Sequence, residues 1–313
     1  RLSTWANPER VAGVRTIEPG TFFELAHEFG AGENYDGWYF DPLWAPYRDQ
    51  FAWSEKRVRD LKDLGADPSL IELAEKQLLV SAWETAWHTP AGGPHGDAEA
   101  DGGASPRIKA LASHSRHAAV TAEAAYWMTH KDEEAHCYLA DIDHDGEQEL
   151  ILKNDKLFAV FSPLCGGRLI YLFAIGGERG QMVIGNPCDD WNLMEELNKY
   201  MEFPRNHPGA LADVGFEQNR YTATVCATGG GKVQALLINT HQGSRARFLR
   251  KELTLRSGAT KLEIGYCLPA SLPSLEVEFG LSPDYLNLLR GGRDSLPITD
   301  IGQRGSPNRS AQV

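Results

Sequence analysis

The chain has 313 residues, a formal net charge of −12 at pH 7 and 42% hydrophobic residues. This length fits one large domain or two of ordinary size, and the hydrophobic content excludes a largely disordered chain. Because an acidic chain repels polyanions, nucleic acids and anionic membrane surfaces are not expected partners. No apolar run approaches the roughly 20 residues needed to span a bilayer, and no signal peptide is visible.

The cysteines and aromatic residues further limit the kinds of protein that this sequence can be. The five cysteines are widely spaced and include no C-x-x-C pair, which favours reduced thiols in a cytoplasmic protein and excludes a cysteine zinc site. Eight Trp, ten Tyr and twelve Phe favour either a sugar-stacking surface or heavy core packing. Since the chain opens at Arg1 without an initiator Met, we expect it to be the C-terminal portion of a longer polypeptide.

The first half of the sequence has helical periodicity. A stripe of residues at helical spacing predicts a first helix between Pro42 and Leu64, with Gly65 ending it. Asp67 and Pro68 then predict an N-cap and the first turn of a second helix that runs to His88. A polar loop at 91–105 precedes a third, alanine-rich helix that is expected to end near His130. The stripe of the first helix comprises Tyr47, Phe51, Ser54, Val58 and Leu61.

From about Cys137 the period changes to two. Leu262, Ile264 and Tyr266 alternate with polar or small residues, and glycine-containing turns separate several runs of this kind. Many half-buried strands without helices between them predict an antiparallel sandwich. The sequence therefore predicts an α+β fold, in which a small helical bundle is followed by an antiparallel β-sandwich.

The acidic run at 141–149 is the sharpest local signal. Alternating aspartates followed by Gly146 bring carboxylates to one point, where a hard cation such as calcium would offset their repulsion. An EF-hand would need a glutamate at the twelfth position, where Leu152 stands. The pattern instead predicts a short, structural calcium loop between strands, and an acidic surface turn without an ion is the alternative. The predicted ligands are Asp141, Asp143, Asp145, Glu147 and Glu149.

A second signal lies near the end of the second predicted helix. Ser81, Glu84 and His88 fall on one helix face, so a carboxylate one turn before the imidazole can orient it and raise its pKa. Trp83 and Trp87 offer flat apolar faces that suit sugar rings. The alternative is structural, because His88 would also interact well with the C-terminal end of the helix dipole and paired Trp side chains often pack in a bundle core.

Other candidates are weaker. His114, Arg116 and His117 on the third predicted helix are expected to face either solvent or the same cleft as the Glu84–His88 segment. The sequence contains no G-x-S-x-G, no nucleotide-binding glycine loop after a strand and no H-E-x-x-H. Hydrolase triads, P-loop chemistry and zincin chemistry therefore have no support from motifs.

Three stretches of this sequence resemble the C-terminal half of glycoside hydrolase family 57, the amylase and 4-α-glucanotransferase group. In the run 84–88, an acidic residue stands three positions before a Trp-His pair, as in the last motif of the family. Residues 138–172 are similar to the aspartate-rich opening of a β-sandwich found in several of these enzymes, and 207–213 to a short segment of the same sandwich. Trp83 departs from the pattern, because many relatives have a small amide there.

The resemblance implies an N-terminal barrel in which a glutamate nucleophile and an aspartic acid act by the retaining mechanism. About forty residues precede the helical region here, too few to build a barrel. We therefore assign no catalytic residue, and Glu84, Trp87 and His88 are expected to bind substrate. The expected domains are the end of an upstream barrel (1–35), the helical bundle (36–132) and a mutarotase-like β-sandwich (133–313).

The leading functional expectation is the non-barrel half of a cytoplasmic, retaining α-glucan-active hydrolase or 4-α-glucanotransferase. Its expected partners are an α-glucan or other oligosaccharide and the upstream barrel of the same polypeptide, with calcium as a structural ion. The alternative is a non-catalytic, calcium-stabilised carbohydrate-binding or scaffolding module. A mutarotase-like epimerase is a third possibility, supported by fold analogy alone.

Overall fold

A computed structural model describes residues 45–85, 113–176, 179–185 and 210–279. Within these ranges the chain forms three helices followed by eleven strands. The helices are α1 (Ala45–Asp63), α2 (Pro68–Thr85) and α3 (Ser113–Thr129). The strands are β1 (His136–Ala140), β2 (Glu149–Lys153), β3 (Leu157–Ser162), β4 (Arg168–Gly176), β5 (Arg179–Gly185), β6 (Ala210–Asp213), β7 (Tyr221–Gly229), β8 (Lys232–Asn239), β9 (Arg250–Arg256), β10 (Leu262–Cys267) and β11 (Val277–Phe279).

The junction between α1 and α2 follows the sequence signals. Gly65 has a φ of 82°, the left-handed conformation that ends many helices. Asp67 Oδ1 accepts the backbone N–H of Leu70 at 2.9 Å, which is the bond expected of an N-cap. The predicted stripe of α1 faces inward, with these members buried: Tyr47, Ser54, Val58 and Leu61. The loop at 91–105 lies outside the described residues.

The strands form two antiparallel sheets. The larger sheet has the order β1-β2-β3-β4-β6-β11, and β5 also pairs with β4. The smaller sheet has the order β10-β9-β8-β7. This arrangement confirms the predicted α+β class, with helices first and antiparallel sheets after them. None of the described helices is long and apolar enough to cross a membrane.

The helices cover the outer face of the larger sheet, so the described part of the chain has three layers. One hydrophobic cluster joins Leu70 and Val120 of the helices to Val160 and Phe173 of the sheet. A second cluster fills the space between the two sheets, where Phe161 and Leu253 are members. The division into a bundle at 36–132 and a sandwich at 133–313 stays a prediction, and the two parts share the first cluster.

The central strands differ from the half-buried strands that the sequence predicts. Every residue of β3 is buried, as are the first four of β2, because helices cover one face and the smaller sheet covers the other. The expected alternation holds in the smaller sheet, where inward residues of β8 are buried and outward ones are partly exposed. A strand covered on both faces needs apolar residues at consecutive positions, which is the pattern of a central layer.

Candidate functional site

The acidic loop, residues 141–149, joins β1 to β2 at the outer edge of the larger sheet. Asp141, Asp143 and Glu149 each place one carboxylate oxygen within 4.8 Å of the other two. The antiparallel ladder explains this convergence, because Ala140 at the end of β1 pairs with Glu149 at the start of β2. Three of the residues predicted to bind calcium are therefore brought together.

The other two predicted ligands have different neighbours. Asp145 Oδ1 accepts the backbone N–H of Glu147 at 2.8 Å, and the Glu147 carboxylate pairs with Arg220 at 3.0 Å. Asp141 shapes the turn by accepting the backbone N–H groups of Asp145 and Gly146 at 3.0 and 3.1 Å. The role of Asp145 and Glu147 as ligands stays a prediction.

The carboxylates of Asp141, Asp143 and Glu149 lie close to one another and beside a guanidinium of α3. Arg116 Nε lies 3.8 Å from Asp143 Oδ2, and both side chains are buried. Glu149 accepts the backbone N–H of Ile142 at 3.1 Å. Burial first, and then the neighbouring aspartates, raise the pKa of Glu149 to about 10. Because converging carboxylates repel one another, a proton on Glu149 or a bound cation stabilises the cluster.

Helix α1 holds the acidic loop in place. Gln50 Nε2 donates to the backbone oxygen of Asp143 at 2.8 Å and to Ser54 Oγ at 3.2 Å. His144, which has a φ of 63°, stacks its ring on Trp53 with centroids 4.6 Å apart. The loop is thus fixed by the helical layer on one side and by the sheet on the other.

Helix α3 contributes a residue whose role the sequence left open. Arg116 and His117 are buried, and the His117 ring meets the edge of Tyr171 at 5.9 Å, so neither residue faces solvent. The side chain of His114 lies outside the described part. Sequence reasoning missed Arg116 as the counter-ion of Asp143. The sequence signal for the burial of Arg116 was its position in an alanine-rich helix, because small side chains favour close packing on all sides of a helix.

The predicted substrate-binding residues fall at the end of the described helical region. Glu84 lies in the last turn of α2, but its side chain is not among the described ones, and Trp87 and His88 lie outside the described residues. Ser81 is fully buried, and the Tyr47 hydroxyl donates to its backbone oxygen at 3.0 Å. At this position α2 is therefore packed on α1, and the substrate-binding assignment stays a prediction.

A second buried ionic cluster lies between the two sheets, and sequence reasoning did not identify it. The Lys251 ammonium is fully buried and donates to the carbonyl oxygens of Gly166, Gly167 and Leu211 at 2.9, 3.0 and 2.8 Å. It also pairs with Asp213 Oδ2 at 3.0 Å. The sequence signal was the two-residue period of β9. Lys251 stands two positions before Leu253, which points into the core, so both side chains lie on the same face of the strand.

Two tyrosines complete this core cluster. The Tyr221 hydroxyl donates to Asp213 Oδ2 at 2.5 Å, and the rings of Tyr221 and Tyr266 lie 5.2 and 5.6 Å from Lys251 Nζ. Burial lowers the pKa of Lys251 to about 8 and raises that of Asp213, while their mutual attraction opposes both shifts. The cluster ties the Gly166 turn and β6 to β9, which is a structural role.

Comparisons with known proteins show a distant likeness to a solved structure. No family model and no curated protein matches the chain. Among solved structures, the crystal structure of 4-alpha-glucanotransferase from Thermococcus litoralis matches with a TM-score of 0.26 and 16% sequence identity. The match covers 78% of this chain and 40% of the glucanotransferase chain, so this chain spans well under two thirds of its neighbour's length.

Proposed function

We propose that this chain is the non-barrel half of a retaining α-glucan-active glycoside hydrolase or 4-α-glucanotransferase. The observation that carries the proposal is the order of elements, in which three helices are followed directly by antiparallel sheets with an acidic loop at the first strand junction. The family resemblance of the sequence implies the same order. In this role the chain forms a wall of the substrate cleft, and a barrel supplies the two catalytic carboxylates.

In this proposal the chain binds the glucan and orients it. The indole of Trp87 offers an apolar face on which a glucose ring stacks, and its N–H can donate to a sugar hydroxyl. Glu84, four positions before His88 in the sequence, is the proposed carboxylate that orients the imidazole for hydrogen bonding. Such contacts position the glucan relative to the carboxylates of the barrel, which contributes to catalysis through orientation.

The test uses the longer polypeptide that includes the region upstream of Arg1. We expect it to hydrolyse or transfer maltoheptaose, and Trp87→Ala to lower kcat/KM about tenfold, since a lost stacking contact weakens glucan binding. Trp83→Ala is the matched control, because Trp83 lies outside the matching motif, and its kcat/KM should change less than about twofold.

Two results would contradict this proposal. A longer polypeptide that folds and leaves α-glucans unchanged would contradict the enzymatic role. If the 313-residue chain then still bound oligosaccharides, a non-catalytic carbohydrate-binding module would be favoured instead. An active polypeptide in which Trp87→Ala has no effect would contradict the placement of the cleft.

We infer that the acidic loop holds one calcium ion, which stabilises the fold and takes no part in the reaction. The support is the convergence of the Asp141, Asp143 and Glu149 carboxylates on one point. Calcium takes six to eight oxygen ligands, and carboxylates are among those it prefers. Asp145 and Glu147 are the further candidate ligands on the same loop.

Thermal unfolding with and without a chelator tests the calcium proposal. We expect the unfolding temperature to fall when calcium is removed and to recover when it is restored, because an ion that binds only the folded chain stabilises it. Magnesium at the same concentration is the control, since it prefers a smaller octahedral shell and should restore less. Equal unfolding temperatures with calcium and with chelator would refute the site.

A further inference from the structure

Two cavities open where the helical layer meets the edge strand β1, and both are lined by Tyr138. The first has a volume of about 380 Å³ and is also lined by Trp53 and Arg57 of α1 and Glu123 of α3. The second has a volume of about 300 Å³ and reaches Trp127. Both volumes lie within the roughly 300–1,000 Å³ that is typical of small-molecule sites. We refer to the two adjoining cavities as the β1 groove.

Tyr138 is the central residue of the β1 groove. Its side chain is 36% exposed, whereas its neighbour Cys137 on the same strand points into the core. The Lys153 ammonium lies 5.4 Å from the centroid of the Tyr138 ring and holds it beside β2. Burial, followed by the nearby Glu123 carboxylate, raises the pKa of Tyr138 to about 12, so its hydroxyl keeps its proton at neutral pH. The ring offers apolar surface and the hydroxyl a hydrogen-bond donor.

Trp53 provides a second aromatic surface in the first cavity. Its position is fixed by the acidic loop, because the His144 ring stacks on it at an interplanar angle of 14°. Asp141 of the same loop also lines this cavity. The first cavity therefore combines two aromatic side chains with a carboxylate on a short, internally bonded turn.

Two paired sets of donors and acceptors line the groove. Arg57 pairs with Glu123 in the first cavity, and His136 Nε2 lies 3.2 Å from the Asp132 carboxylate in the second. An anionic or cationic ligand would compete with one member of each pair. A neutral polyhydroxylated ligand can accept hydrogen bonds from Arg57 and donate them to Glu123 at the same time. Aromatic faces beside paired donors and acceptors thus favour a sugar over a charged ligand.

We propose that the β1 groove binds a neutral oligosaccharide, with sugar rings on either side of Tyr138. The groove is a second carbohydrate site, formed by residues other than Glu84, Trp87 and His88. The oligosaccharide class follows from the lining of the groove. The choice of an α-linked glucan as the natural ligand rests on the proposed function.

Isothermal titration of the 313-residue chain with maltoheptaose, and separately with cellohexaose, tests the groove. Tyr138→Ala should weaken maltoheptaose binding about tenfold, because it removes the shared aromatic wall. Tyr138→Phe should retain affinity within about threefold, since it keeps the ring and loses one hydroxyl. Phe248→Ala is the matched control, because Phe248 is an exposed aromatic residue that does not line either cavity, and its substitution should leave affinity unchanged.

The outcomes separate this proposal from the proposed function. If Tyr138→Ala bound maltoheptaose with wild-type affinity, the groove would not be the sugar site. The proposed function would still be decided separately, by the activity of the longer polypeptide. Absence of binding to either sugar by the wild-type chain would also overturn the groove. Tyr138-dependent binding of cellohexaose alone would support the groove and contradict the choice of an α-glucan. If Tyr138→Ala does not fold, Trp53→Ala replaces it in the same titration and should again weaken binding about tenfold.

Discussion

Two ionic clusters in the described part of the chain differ in how their charges are arranged. In the core cluster, the Lys251 ammonium meets three backbone carbonyl oxygens and the Asp213 carboxylate, all within 3.0 Å. In the acidic loop, three carboxylates converge, and the Arg116 guanidinium is 3.8 Å from one of them. The first cluster places a buried cation among oxygen acceptors, whereas the second places carboxylates close to one another.

This difference separates a structural cluster from a candidate binding site. Removing one partner of a buried ion pair is costly, because the other charge is left buried without compensation. A cluster of converging carboxylates gains stability from a cation that binds to the folded chain. The comparison therefore predicts opposite responses to substitution: the core cluster should be destabilised by losing a charge, and the metal-free acidic loop should be stabilised by losing one.

The largest effect is expected from Lys251→Met. The substitution leaves the Asp213 carboxylate buried without its ammonium, which should lower the free energy of unfolding by roughly 3–5 kcal/mol. Urea denaturation at pH 7 measures this change. Lys261→Met is the control, because Lys261 is exposed and its loss should cost under about 0.5 kcal/mol. Similar stabilities of the two variants would show that the core cluster is not a structural element.

The next largest effect concerns calcium. At a calcium concentration of about 100 times Kd, the free energy of unfolding of the wild-type chain should rise by about 2.7 kcal/mol, and Asp143→Asn should abolish most of that rise. Urea denaturation in calcium and in chelator gives both values. Asp132→Asn, an exposed aspartate outside the loop, should respond to calcium as the wild type does. An unchanged response in Asp143→Asn would place the ion elsewhere.

A smaller effect of opposite sign is expected from Glu149→Gln in the metal-free chain. The folded-state pKa of Glu149 is raised from 4.5 to about 10, so folding takes up a proton between these values. The stabilising contribution of this group is complete below pH 4.5 and declines as pH rises towards 10. The glutamine keeps an acceptor for the Ile142 N–H and does not ionise.

Glu149→Gln should therefore raise the free energy of unfolding by about 1–2 kcal/mol at pH 7 and flatten its pH dependence. Urea denaturation in chelator at pH 5, 7 and 9 measures both effects. If the two chains kept a constant difference in stability across this range, the Glu149 carboxyl would not be the titrating group.

The smallest effect is expected from Tyr221→Phe. The variant loses one hydrogen bond to Asp213 Oδ2, which still pairs with Lys251. The free energy of unfolding should fall by about 1 kcal/mol, the usual contribution of one such bond. The same urea denaturation measures it. A loss as large as that of Lys251→Met would show that the tyrosine, and not the ammonium, is the main partner of the carboxylate.

Local signals in the sequence were sufficient for several features. The glycine and the capping aspartate between the first two helices determine their junction because they act over one turn of chain. The acidic run brought Asp141, Asp143 and Glu149 together, since the residues that follow one strand of a hairpin face those that begin the next. The alternation of apolar residues likewise predicted the antiparallel sheets.

Other features depend on segments that are distant in sequence. The Arg57–Glu123 pair joins residues 66 positions apart, and the contact between Lys251 and Gly166 joins residues 85 positions apart. The periodicity of apolar residues does not indicate which helix covers which face of a sheet. The full burial of β3 and the role of Arg116 as a counter-ion therefore depend on tertiary packing. The β1 groove has the same origin, because two helices and an edge strand form its walls only after the layers assemble.

The sequence by itself thus determined the class of fold, the first helix junction and the acidic loop, because each depends on neighbouring residues and on strand or helix period. The tertiary structure alone decided which charges are matched and where cavities open. Burial and Coulombic interaction depend on distance in space, and the chain sets that distance only when its layers pack together.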